Sequence, residues 1–128
     1  MSSYTRKNLS DVEDSAVKHG MGDGFSARFG REDLGCERTG FSLQRLDAGR
    51  RVPFGHRHDE AEEVYVVIGG GGRMLLDGEI IDVTRMDAIR VAPGVLRSFE
   101  AGDDGLEVLV FGAHHEGDGA MSQVDWPE

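Results

Sequence analysis

The sequence predicts an all-β fold of one domain, built as a sandwich, jelly roll or barrel, and three observations carry that prediction. Short segments of period-two alternation recur between turn-forming clusters at intervals of about ten residues. Nineteen glycines stand against three prolines, a composition of many tight turns. No long segment keeps a 3.6-residue apolar period bounded by helix caps. A chain of 128 residues is large enough for one core and too small for two.

Taken in order, residues 1–24 are polar and broken by "HGMGDG", which predicts a loosely ordered lead-in with at most one short edge strand. The domain proper spans 25–113. "FSARF" and "GFSLQRL" alternate large and small residues, and each is closed by a turn-like cluster, "GREDLG" and "DAGRR". "EVYVVI" is β-branched and aromatic, the composition of a half-buried strand. "RMLLDGEIIDV" sets Asp77-Gly78 between apolar triplets, a two-residue hairpin turn in which both positions must tolerate positive φ. "DAIRVAPGVLRSFEA" gives two strands around a Pro93-Gly94 turn, and "LEVLVFGA" gives the last. Residues 114–128 are polar and turn-rich, a tail from which Trp126 is able to dock onto the body.

The four glycines at 69–72 predict a tight bend rather than a phosphate loop, because neither Lys-Ser nor Lys-Thr follows and Arg73 opens a hairpin. With 24 acidic against 14 basic residues, the formal charge of −10 repels phosphate backbones and anionic lipid, so nucleic acid and membrane are not expected partners. Scattered acids serve solubility first. Cys36 is the one cysteine, which excludes an internal disulfide framework and fits a reducing compartment. The first residues contain no apolar leader segment and no run of apolar residues is long enough for a span, so a cytoplasmic location is expected.

The chemistry concentrates in "GHRHDEAEEVYVVIGGGG", residues 55–72. In a strand, residues two apart share a face, so His56 and His58 project together while Arg57 points away. Glu63 opens the next strand and shares a face with Tyr65 and Val67, whereas Glu62 would face outward. Two imidazoles and a carboxylate from adjacent strands are a donor set for a borderline divalent metal. Polar residues at a strand mouth, with no ligand at all, are the plainer alternative.

"HRHDEAEEVYVVIGG" resembles the first motif of the cupin superfamily, in which His-x-His is followed by a Glu and then a Gly. Here His58 is followed by four residues and Glu63, and six more precede Gly70. Gly49 lies one residue too far to be the glycine that usually opens the motif. The second motif has its counterpart in "MDAIRVAPGVLRSFEAG", with Asp87 and the Pro93-Gly94 turn in place, Met86 where a glycine usually stands, and Arg97 where the pattern has a third ligand histidine. The resemblance covers roughly residues 38–112 and implies a single-domain cupin-like jelly-roll β-barrel. It is specific for fold rather than function, since this fold carries several chemistries. Members commonly pair, so the resemblance implies a homodimer, and the apolar "LEVLVF" is a candidate edge that a second copy would cover.

Arg97 has no lone pair to give a metal and carries a permanent charge. Three readings follow. His56, His58 and Glu63 hold Fe, Mn, Ni or Zn as an incomplete triad, with Arg97 clamping an anionic ligand, the arrangement of a metal-dependent oxygenase or isomerase. Alternatively Arg97 pairs with Glu63 through a bidentate contact, leaving a metal-free pocket for a small molecule, the leading expectation here. In the third the barrel is a scaffold and the polar cluster a relic. Among ligand-binding candidates, Gln44 is either an oxygen donor or a surface amide, and Tyr65 and Phe99 are either core or pocket lining. His19, His114 and His115 read as solvated, and no Gly-x-Ser-x-Gly elbow supports a serine nucleophile.

Overall fold

The structure, a computed structural model, describes residues 3–127. Eight strands among those residues form one curled antiparallel sheet: β1 (Phe25–Phe29), β2 (Thr39–Leu46), β3 (Gly55–His58), β4 (Glu63–Leu76), β5 (Glu79–Thr84), β6 (Ala88–Val91), β7 (Arg97–Ala113) and β8 (Gly119–Ser122). β1, β2, β7, β3 and β8 lie side by side in that order, and β4 pairs with β5, β6 and β7. The all-β expectation holds.

Asp77-Gly78 turns the hairpin as its residue types require: φ is 49° and 84°, and Leu76 faces Glu79 across a two-residue loop. Asp77 also accepts the Leu96 N–H at 2.8 Å, tying the turn to the start of β7. The glycines 69–72 lie inside β4, where its register against β7 slips between Val67 and Gly69 and again between Gly70 and Gly72. Gly70, at φ 65°, comes so near β7 that a Cβ would sit 2.0 Å from the Gly105 carbonyl oxygen. The glycines therefore bend one long strand around the barrel.

Inward residues of β4 and β7 make the core. Tyr65, Val67 and Met74 meet Phe99, Ala101, Leu106, Val108 and Val110, with Phe25, Ala27, Leu46 and Val52 closing one side. Each large apolar side chain so buried stabilises the fold by about 1.5–3 kcal/mol relative to exposure.

Three local expectations change. Leu106–Phe111 is not an edge: Leu109 stands between Leu43 of β2 and Val66 of β4, so β7 is central and already covered on both sides. The lead-in forms no strand among its described residues. It packs instead as a 3-10 turn at Leu9–Asp11 and a one-turn helix α1 (Ser15–Lys18), with Val12 and Ala16 buried and a single bridge between Asp14 and Arg28. Asp14 accepts N–H groups of Ala16 and Ala27 at 3.0 and 3.1 Å, joining the helix cap to β1. "GREDLG" turns through a second short helix, α2 (Arg31–Leu34), ended by Gly35 at φ 69°.

The polar segment after Ala113 supplies β8, which pairs with β3 from Gly55↔Ser122 to His58↔Gly119. Four exposed residues are too few to print a pattern in sequence, yet they cover backbone groups that β3 would otherwise leave open. Trp126 lies beneath the guanidinium groups of Arg51 and Arg73, 4.7 and 5.5 Å from its ring centre. Among the described residues no helix is long and apolar enough to cross a membrane.

Candidate functional site

β3, β4 and β7 converge at one mouth of the barrel. His56 stands directly across from Arg97, and the Pro93-Gly94 turn docks onto β3 through a 2.7 Å bond from the Gly94 N–H to the His58 carbonyl. Glu63, the first residue of β4, lies between Val91 and Gly112 of its neighbouring strands. The two sequence motifs therefore meet because β3, β4 and the β6–β7 turn close on one another.

His56, His58 and Glu63 are brought together as expected, with donor atoms within 4.8 Å of one another. His56 Nε2 is 3.5 Å from Glu63 Oε1, and His58 Nε2 is 3.3 Å from Glu63 Oε2. The imidazole centres are 5.3 Å apart and nearly perpendicular. The side chains are mostly buried but not sealed: both histidines retain 21% exposure and Glu63 13%. Atoms sharing a metal at about 2.0–2.2 Å lie roughly 3.0–3.6 Å from one another, the range of both histidine–glutamate separations, so the chemistry of this group suits a divalent ion as an incomplete donor set. A fourth protein donor at position 97 does not exist.

The surroundings fix the set. Tyr65 is fully buried and donates its hydroxyl to Glu63 Oε1 at 2.7 Å, with His56 Nε2 3.4 Å away. Burial and the Glu63 charge push the Tyr65 pKa well up, so it remains a donor. For Glu63, burial acts to raise the pKa, and the contacts with His56, Tyr65 and His58 outweigh it and hold the carboxyl below its ordinary value. The His58 Nδ1 nitrogen lies 3.1 Å from Asp118 Oδ2, just before β8. A carboxylate accepts only, so the network assigns a proton to Nδ1, while Nε2 faces the Glu63 carboxylate at 3.3 Å. A proton on Nε2 or a bound cation satisfies that contact equally.

Arg97 does not form the bidentate clamp expected of it. Its Nη1 stops 3.7 Å from Glu63 Oε1, beyond hydrogen-bond range, while Nη2 donates to the Ala92 carbonyl at 3.2 Å. The Glu63 oxygen it approaches already accepts from Tyr65. Arg97 is wholly buried, and its Nε and Nη1 have no hydrogen-bond partner among the described residues.

Of the other candidates, Phe99 is core, stacked at a tilt 5.2 Å from the Tyr65 ring. Gln44 is half-buried. It lines a small interior gap with Val52 and Phe99 and donates to Ser42 Oγ at 3.2 Å. His114 and His115 contact Glu116 and Glu60 and stay outside the donor cluster. Asp118 was illegible in the sequence, since an aspartate between glycines in a polar segment carries no sign of what lies across from it. An open groove of about 680 Å³ between β1, β2 and the β4 bend contains none of the cluster residues.

No family model and no curated protein matches the chain. Solved structures do. A cupin protein from Bacteroides fragilis superposes with a TM-score of 0.71 at 25% identity, over 91% of this chain and 88% of that one. A cupin-superfamily sugar phosphate isomerase from Silicibacter pomeroyi gives 0.71 at 18% identity over 94% and 97%. A polyketide cyclase from Streptomyces resistomycificus gives 0.74 at 20% identity over 97% and 87%. With the His-x-His pair and Glu63 at one barrel mouth and Pro93-Gly94 docked beside them, the chain has the fold of the cupin superfamily.

Proposed function

We propose that the protein binds a small organic molecule at this mouth, against a divalent cation held by His56, His58 and Glu63. The observation that carries the reading is the cluster of His56, His58 and Glu63, whose donor atoms lie within 4.8 Å of one another, with the far side of the His58 imidazole engaged by Asp118. Fe, Mn, Ni and Zn all accept two imidazoles and a carboxylate, and an ion so held supplies Lewis acidity with coordination positions left open. Tyr65 fixes the Glu63 carboxylate. Arg97 adds a buried positive charge behind it, which favours a ligand bearing an anionic group. An isomerase- or oxygenase-type reaction is the activity such a centre serves, and an isomerase and a cyclase stand among the structural neighbours.

A second reading, a metal-free binding pocket, draws on the Arg97 guanidinium 3.7 Å from Glu63, a permanent charge that opposes a divalent ion. Elemental analysis of protein purified without chelator, beside the His56→Ala variant, separates the two. About one metal per chain that is lost in the variant is the expected result. Trace metal in both proteins would end the metal reading and leave the pocket, to be followed by thermal stabilisation with small organic anions.

A further inference from the structure

We propose that Asp118 is the positioning residue of this site, fixing His58 as the Nδ1–H tautomer so that Nε2 is presented as a metal ligand; the metal part of this inference rests on the function proposed above. Asp118 is buried, with four hydrogen bonds on its two oxygens. Oδ1 accepts the N–H groups of Asp59 and Glu60, both at 2.7 Å. Oδ2 accepts the Ala61 N–H at 3.0 Å and faces His58 Nδ1 at 3.1 Å. The same carboxylate therefore holds the imidazole and the turn that leads from His58 to Glu63, setting two of the three donors relative to each other.

The chain after Ala113 is shaped to deliver it. β8 begins at the next residue, Gly119, which lies opposite His58 and whose lack of a side chain leaves room for the ring: a Cβ there would be 3.3 Å from His58 Cε1. Farther on, Trp126 rests against Arg51 and Arg73, both paired with Glu100. The strap is anchored at both ends. A carboxylate on the outer nitrogen of a metal-binding histidine sets its orientation and basicity, and removing such a partner typically lowers metal affinity about 10- to 100-fold.

Asp118→Asn is the discriminating variant. Two backbone N–H groups bind Oδ1 against one at Oδ2, so Oδ1 is held as the amide oxygen and the new NH₂ is turned toward His58 Nδ1, at the cost of the bond from the Ala61 N–H. A donor now faces Nδ1, and the proton moves to Nε2, where it blocks ligation. Calorimetric titration with Zn(II) is expected to show binding about 10- to 100-fold weaker than wild type. Long-range ¹H–¹⁵N correlation on the metal-free proteins, well above the ordinary histidine pKa, is expected to show His58 protonated on Nδ1 in the wild type and on Nε2 in the variant. A purely structural Asp118 would leave the tautomer unchanged.

Wild-type His58 carrying its proton on Nε2 overturns the proposal, even should the variant not fold. So does Asp118→Asn binding Zn(II) as the wild type does. A wild type that shows the Nδ1–H tautomer but binds no Zn(II) overturns the metal function and not the control of the tautomer by Asp118.

Discussion

The Arg97 guanidinium ends 3.7 Å from Glu63 Oε1, behind an oxygen that already accepts the Tyr65 hydroxyl. At an effective dielectric constant near 20, unit charges at that separation attract by about 4 kcal/mol, a gain offset by several kcal/mol of desolvation for each ion. Arg97 is thus a charge compensator for the carboxylate rather than a bonded partner. Arg97→His removes the cation and offers a nitrogen donor opposite His56. The metal-free variant is expected to be less stable by about 3 kcal/mol, having lost one member of a buried pair. Its Zn(II) affinity is expected to rise at least tenfold, read by calorimetric titration. Affinity equal to or below wild type would show that position 97 does not reach the donor set.

Tyr65→Phe conserves the volume of a wholly buried ring and deletes one hydroxyl. The lost bond is a 2.7 Å donation to a carboxylate whose depressed pKa it helps to maintain, and bonds to charged groups are worth about 1.5–3 kcal/mol. A fall of about 1–2 kcal/mol in urea stability with an unchanged m-value is expected. Unchanged stability would mean that the Glu63 oxygen finds another donor.

The strands were legible because their signals are local: the Asp77-Gly78 turn and the alternation through Tyr65 and Val67 need no distant partner to be read. The histidine pair and Glu63 were legible for the same reason, as close neighbours in sequence on strands of known periodicity. What Arg97 does was not, because its side chain is long and its final position depends on Ala92 and Tyr65, which no spacing rule connects to it. Asp118 was not, because its role comes from a four-residue strand pairing about 60 positions away in the chain. Nor was the central place of β7, since an apolar run looks alike at an edge and in the middle of a sheet.

Met86 occupies the place where the second motif usually has glycine, and the backbone there keeps the geometry that glycine favours. Its φ is 79° and its side chain is 70% exposed. The turn is held by a 2.8 Å bond from the Met86 N–H to the Val67 carbonyl and by Asp87 accepting the Thr84 N–H, so the conformation is imposed on the residue. A non-glycine residue in this region costs roughly 1–2 kcal/mol, partly offset by the chain entropy glycine would add. Met86→Gly is expected to raise Tm by about 2–4 °C. A lower Tm would mean that the thioether makes a stabilising contact that its exposure does not indicate.

Glu100 makes the Trp126 end of the strap acid-sensitive. It receives Arg51 Nε at 2.5 Å and Arg73 Nη2 at 2.6 Å, and those two guanidinium groups also bear Trp126. Burial acts to raise its pKa, but the bonds and charges of Arg51 and Arg73 outweigh this and hold it below the ordinary 4.5. Below 4.5 the unfolded chain then binds the proton more readily than the folded one. The stabilisation is therefore complete above that value and declines as the pH falls through the folded pKa. Glu100→Gln is expected to cost about 1 kcal/mol near neutral pH, a modest figure because the pair is partly screened by solvent. The gap between wild type and variant, measured by denaturant unfolding, is expected to narrow as the pH falls below 4.5. A gap of constant size across that range would assign the effect of the substitution to packing beneath Trp126 rather than to charge.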